Sequence, residues 1–156
     1  MRYLAVFLGI CFAEIRLKNH VEDNWDPGKV HTPPADSPAA GLPVRLRRYH
    51  NHGAFLNLGE DHKKGVLLLS LFFTLALSLL FLVTLFQKGK GLLKTGLSFL
   101  LGGAFSNTYD RLRRGYVVDY FSLQSPFPRL NSIVFNLADF AILIGSLMIA
   151  ASEMCK

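Results

Sequence analysis

The chain has 156 residues, a length that fits one domain, and 51% of these residues are apolar. The formal net charge is +6, but the basic residues flank apolar segments and carry no interleaved aromatic pattern, so the charge indicates membrane flanks and excludes a nucleic-acid partner. The cysteines and histidines match no disulfide or metal-ligand spacing, so we expect neither a metal nor a cofactor.

The first apolar segment, residues 3–13, is short, and the charged residues Glu14, Arg16 and Lys18 follow it. A basic start before an apolar run is also typical of a signal peptide, but no small-residue cleavage site follows this one. We therefore predict a first transmembrane helix over residues 3–18.

A polar segment with five prolines covers residues 19–64, and we predict that it is a large loop outside the membrane. Within this loop, VRLRRYHNHGAFLNLG (residues 44–59) is compatible with either a small β element or a segment lying at the membrane interface.

Residues 65–86 carry no charge, and at about 1.5 Å per residue they span the ~30 Å hydrocarbon core. Residues 131–152 form a second such run, in which Asp139 is the single charged residue. Residues 92–107 are long enough to span if Lys94 reaches the interface. Small residues recur every fourth position in this helix, which favours close helix packing, although they could also open a groove for acyl chains: Ser98, Gly102 and Ser106.

These segments predict an all-α membrane protein with one domain over residues 1–156. It has four transmembrane helices, and its outer-face loops cover residues 19–64 and 108–130.

Charged side chains inside a membrane are costly, so Asp139 is either functional or a structural residue bonded to a neighbouring helix. Asp119, in RRGYVVDYF, lies among apolar residues and could reach the level of Asp139. Two close carboxyl groups share a proton, so that one activates a water and the other polarises a scissile carbonyl. The residues alone leave two alternatives, an ion or proton translocator that uses Asp139 and a membrane scaffold without activity.

Four features make the chain similar to lipoprotein signal peptidases (signal peptidase II). GGAFSNTYDRLRRGYVVDYF resembles the signature block of that family, FNLADFAI its second aspartate block, and HNHGAFLNLG its Asn-x-Gly-Ala-Phe block. Glu14 and Lys18 have the spacing of an acidic residue and a lysine at the end of the first helix. The sequence departs from the family pattern at Ser106, where Gly is usual, at Glu14, where Asp is usual, and in a third block that is one Ala short.

The resemblance implies a metal-independent aspartic endopeptidase of the bacterial inner membrane. Its partners are membrane lipids and prolipoproteins, which it cleaves before a diacylglyceryl-modified cysteine. We expect a monomer. The implied catalytic pair is Asp119 and Asp139, and the implied supporting residues are Glu14, Lys18, Asn51, Gly53, Asn107, Asp110, Arg111, Asn136 and Ala138.

Each supporting residue also has a structural interpretation. Asn107 and Asn136 could cap helices, Asp110 and Arg111 could form an ion pair, and Gly53 could permit a backbone conformation. The resemblance places the active site at the outer face with both termini inside. The positive-inside rule favours the reverse, because the two outer loops are the more basic; we follow the residue-level resemblance.

Overall fold

The computed structural model of the chain describes residues 1–31, 43–53, 62–124, 126–127 and 131–154. The described part is mostly helical and contains one small sheet, with elements in this order: α1 (Arg2–Asn24), β1 (Val44–Asn51), α2 (Lys63–Leu85), α3 (Gly91–Arg114), β2 (Val117–Leu123) and α4 (Leu137–Met154). The predictions for residues 32–42, 54–61, 125, 128–130 and 155–156 lie outside the described residues.

Two of the described helices are long and apolar enough to cross a membrane, α2 with a mean hydropathy of 2.8 and α4 with 1.6. Helix α2 exposes large apolar side chains along its length, including Leu68, Phe72, Leu75 and Leu79. A soluble surface rarely carries so large an apolar patch. Helices α1 and α3 do not reach this hydropathy, because they carry more polar and charged residues, including the buried Glu14, Lys18 and Asp110.

Three helix boundaries differ from the predictions by more than two residues. Helix α1 continues to Asn24 rather than ending at residue 18, because Val21 packs against Val118 and Tyr120 of the sheet. Helix α3 continues past residue 107 to Arg114, and Gly115, whose positive φ of 79° suits glycine, caps its end. Residues 108–114 are therefore helix and not loop.

Helix α4 begins at Leu137 rather than at residue 131. Phe135 instead pairs with Phe121 of β2, through the bonds Phe135 N to Phe121 O and Phe121 N to Phe135 O. The residues directly before α4 are thus held beside the strand, and α4 starts only after this pairing ends.

Helix α3 is central, and α1, α2 and α4 all pack against it. Helix α1 runs parallel to α3, since Gly102 lies against Phe7 and Ile10, and Lys18 contacts Asn107 further along. Gly102 and Ser106 thus face α1, as close helix packing predicts, and Ser98 is fully buried. Helix α4 runs antiparallel to α3, and a Cβ at Gly103 would lie only 2.4 Å from the carbonyl oxygen of Ala138.

Strands β1 and β2 form a two-stranded antiparallel sheet, in which Val44 is opposite Leu123 and Asn51 is opposite Val117. The strand alternative for the start of the 44–59 segment is therefore confirmed. The register shifts between Leu46 and Tyr49. The sheet lies at the end of the bundle where α1 and α3 finish and α4 begins, and it brings Asn51 to the same place as Asp119.

Candidate active site

Asp119 lies on β2 and is only 1% exposed. Asn51 at the end of β1 donates from Nδ2 to Asp119 Oδ2 over 3.0 Å. Asn136, just before α4, donates from Nδ2 to Asp119 Oδ1 over 2.6 Å. The carboxyl group is therefore fixed from two sides by side-chain amides.

Asp139 lies in the first turn of α4. The N–H of Asn136 donates to Asp139 Oδ2 over 3.0 Å, and Asn136 Oδ1 accepts the N–H of Asp139 over 3.1 Å. This reciprocal pair is the geometry of a capping box, which satisfies two of the free N–H groups at a helix start. The second carboxylate oxygen, Oδ1, accepts a bond of 3.0 Å from Asn107 Nδ2.

Both carboxyl groups line a cavity of about 770 Å³ between α2, α3 and α4. Its walls are largely apolar and include Leu69, Phe73, Ala104, Ile142 and Leu143. Burial, and secondly the charge of Asp139, raise the pKa of Asp119 from 3.8 to about 7, although the amide donors act in the opposite direction. A carboxyl group that holds its proton to about pH 7, with a second carboxyl group lining the same cavity, can perform acid–base chemistry there.

Lys18 is fully buried and joins α1 to α3. Its Nζ donates to Asn107 Oδ1 over 2.6 Å and lies 3.5 Å from Asp110 Oδ2. Because Asn107 accepts from Lys18 through its oxygen, its amide nitrogen is the group that faces Asp139. Lys18 thus acts on the candidate site through Asn107.

Asp110 does not form the ion pair with Arg111 that the sequence allows. Its charged partners are Lys18 and Arg114, and its Oδ2 also accepts the N–H of Val118 over 3.1 Å. Asp110 therefore connects α3 to β2 at Val118, the residue directly before Asp119.

Arg111 lines the cavity and donates from Nη2 to the carbonyl oxygen of Gly53 over 2.8 Å. The N–H of Gly53 donates to Asn51 Oδ1 over 3.0 Å, which orients the amide nitrogen of Asn51 toward Asp119. Gly53 therefore contributes backbone hydrogen bonds that hold two side chains of the site.

Glu14 and Ala138 meet at the start of α4, where the N–H of Ala138 donates to Glu14 Oε1 over 3.1 Å. All the residues that the resemblance implies therefore lie in one connected network. The sequence analysis missed Tyr120, whose hydroxyl also bonds Glu14. The sequence carried a signal for this residue, because a tyrosine inside an apolar block is expected to be buried. A buried tyrosine hydroxyl needs a hydrogen-bond partner. Among the described residues, no group of three or more His, Cys, Asp or Glu could hold a metal.

Comparisons with known proteins agree on one family. The family model for signal peptidase (SPase) II matches residues 6–155. A lipoprotein signal peptidase of Moorella thermoacetica is 34% identical over 149 residues, which cover 96% of this chain and 90% of that protein. A lipoprotein signal peptidase of Histophilus somni is 35% identical over 107 residues, but the match covers 67% of this chain and only 64% of that protein.

A solved structure of a bacterial membrane enzyme, obtained by the in meso method at 2.3 Å resolution, has the same fold. Its TM-score is 0.79 at 18% identity, and the alignment covers 98% of this chain and 87% of the other. Because the family model covers nearly the whole chain, this protein belongs to the signal peptidase II family of lipoprotein signal peptidases.

Proposed function

We propose that the protein is an aspartic endopeptidase that removes signal peptides from prolipoproteins by cleaving before a diacylglyceryl-modified cysteine. The observation that carries this proposal is the pair Asp119 and Asp139, from two different elements, lining one apolar cavity in a chain of the signal peptidase II family. Asn51, Asn107 and Asn136 support the pair by fixing the orientation of each carboxyl group.

In the proposed reaction, Asp119 acts as the acid and Asp139 acts as the base. Asp139 removes a proton from a water, whose oxygen attacks the scissile carbonyl carbon, while Asp119 donates its proton to the carbonyl oxygen. When the tetrahedral intermediate collapses, the C–N bond breaks, and the leaving amine takes the proton held by Asp139. Asp119 recovers a proton from the intermediate, so that one water is consumed and the carboxyl pair returns to its starting state.

A translocator is less well supported, because residues 65–85 of α2 offer only hydroxyl groups as polar side chains. Ser70, Ser78 and Thr84 each donate to a carbonyl oxygen of the same helix, and Thr74 bonds Thr108 across the interface with α3. These hydroxyl groups satisfy local backbone or pair with one another, so the described part of α2 carries no chain of ionisable groups.

The proposal places four helices across the bacterial inner membrane as one domain over residues 1–156. Both termini are cytoplasmic, the active site faces outward, and the protein acts as a monomer among membrane lipids. Only α2 and α4 are apolar enough by themselves. The crossing of α1 and α3 is supported by their packing along the same bundle and by the inward position of their buried charges Glu14, Lys18 and Asp110.

The orientation predicts which helix ends are accessible from outside. In a Cys155→Ser background, Asp23→Cys at the end of α1 should react with an impermeant maleimide in intact spheroplasts. Gln87→Cys after α2 should react only after lysis, since both positions are exposed but lie at opposite ends of the bundle. The reverse labelling pattern would overturn the orientation.

Removing either carboxyl group should stop cleavage. Asp119→Asn and Asp139→Asn should each lower kcat by roughly 10²- to 10⁴-fold, because one variant lacks the acid and the other lacks the base. Asp26→Asn, at an exposed carboxylate, is the matched control and should retain full activity. Release of the signal peptide is measured for each variant. Near-normal turnover in either site variant would remove that residue from the catalytic pair.

The proposed reaction needs no metal, so the unmodified protein should also release the signal peptide with excess EDTA present. Activity that is lost to EDTA but restored by zinc would contradict metal independence.

The raised pKa of Asp119 predicts an alkaline limit to activity. The pKa lies above its ordinary value, so Asp119 keeps its proton below about pH 7 and loses it above. Because the mechanism needs that proton, kcat/KM should fall about tenfold per pH unit beyond this pKa. In Asn51→Leu, a donor that favours the charged form is absent, so the limit should move to higher pH. A flat profile from about pH 6 to about pH 10 would contradict the assignment of Asp119 as the acid.

The apolar cavity predicts that the acyl chains matter for cleavage. A prolipoprotein without its diacylglyceryl group should lose at least roughly a hundredfold in kcat/KM, since four buried CH₂ groups contribute roughly 0.8 kcal/mol each. Leu143→Trp should lower kcat/KM for the lipidated substrate by roughly tenfold or more, because the larger ring occupies the cavity that Leu143 lines. Ile144→Trp is the matched control at an exposed neighbour. Equal rates with and without the lipid would indicate a general intramembrane protease.

A further inference from the structure

Asp119 and Tyr120 are successive residues of β2, so their side chains leave the strand on opposite faces. Asp119 lines the cavity, whereas Tyr120 is 5% exposed and packs in the core with Val21 and Val118. The ring of Tyr120 therefore belongs to the core, but its hydroxyl reaches the start of α4.

The hydroxyl of Tyr120 accepts the N–H of Leu137 over 2.9 Å and donates to the carboxylate of Glu14 over 3.0 Å. Glu14 in turn accepts the N–H of Ala138 over 3.1 Å. Leu137 and Ala138 are the first residues of α4, where N–H groups have no partner within the helix. Their two donors are thus satisfied by side chains from β2 and α1.

The next residue in this first turn is Asp139, whose N–H bonds Asn136. Three successive N–H groups at the start of α4 are therefore each held by a side chain. These side chains belong to Tyr120 of β2, Glu14 of α1 and Asn136 directly before α4. Loss of one contact would let the first turn move relative to β2, and β2 carries Asp119.

We propose that Tyr120 is a positioning residue of this peptidase, and that its hydroxyl, together with Glu14, sets the position of Asp139 relative to Asp119. The proposal rests on the function proposed above. Burial and the charge of Glu14 also raise the pKa of the Tyr120 hydroxyl, so it remains a donor throughout the working pH range.

The decisive variant is Tyr120→Phe, which keeps the ring in the core and removes only the oxygen. The matched control is Tyr116→Phe, because the hydroxyl of Tyr116 also donates to a glutamate of α1, Glu22, over 3.0 Å, but forms no hydrogen bond with a described residue of α4. Both proteins are purified in detergent and compared by thermal unfolding, so that activity is referred to folded protein.

For Tyr120→Phe, we expect kcat to fall roughly 10- to 100-fold with an unchanged KM, as for a small misplacement of a reacting group. The alkaline limb of the pH profile should move to lower pH. The charge of Asp139 raises the pKa of Asp119, and this effect weakens when Asp139 lies farther from Asp119. The amides of Leu137 and Ala138 should exchange with deuterium faster. Tyr116→Phe should leave kcat, the pH profile and this exchange as in the unmodified protein.

A Tyr120→Phe protein with unchanged kcat, pH profile and amide exchange would overturn the proposal. If that variant does not fold, Glu14→Gln tests the same contacts, since one amide oxygen replaces two carboxylate oxygens, and normal kcat with normal exchange in it would also overturn the proposal. If the unmodified protein does not cleave a lipidated substrate, the proposed function fails, and the exchange measurement alone then decides the role of Tyr120.

Discussion

The candidate site depends on three hydrogen bonds that Asn136 makes to the two carboxyl-bearing residues. The side-chain nitrogen of Asn136 bonds Asp119, while its side-chain oxygen and its backbone N–H bond Asp139. One residue therefore caps α4 and connects both carboxyl groups, so the geometry of the pair is set by the start of a helix. Phe135, the preceding residue, pairs with β2 and fixes where this helix starts.

The charged residues of α1 and α3 support this arrangement from inside the bundle. Lys18 lies among Glu14, Asn107 and Asp110, and each of these bonds a backbone or side-chain group of the site. Burying such charges is costly unless each is paired and hydrogen-bonded, as these are. Polar and charged residues such as these lower the hydropathy of α1 and α3, and among the described helices only α2 and α4 are apolar enough to cross a membrane.

The cavity lies between apolar helices and ends at the polar network of the site. Helices α2 and α4 each pack against α3 but make few contacts with one another among the described residues, and the apolar cavity lies between them. The polar network and the sheet close the end of this cavity. A buried carboxyl group at that boundary keeps its proton to about pH 7, which an exposed aspartate would not do.

The sequence by itself determined the features that depend on neighbouring residues. The uncharged run of α2, the small-residue spacing of α3 and the two aspartate blocks are local patterns, and they led to the fold class, the family and the residues of the site. Only the tertiary structure decided the partner of each polar group: Asp110 pairs with Lys18 and Arg114 instead of Arg111, and Tyr120 enters the network through Glu14. It also decided that α4 begins at Leu137, because pairing with β2 overrides the apolar pattern before that residue. Glu14 and Ala138 are far apart in the chain, and their hydrogen bond depends on how α1, α3 and α4 pack, which no periodicity of the sequence encodes.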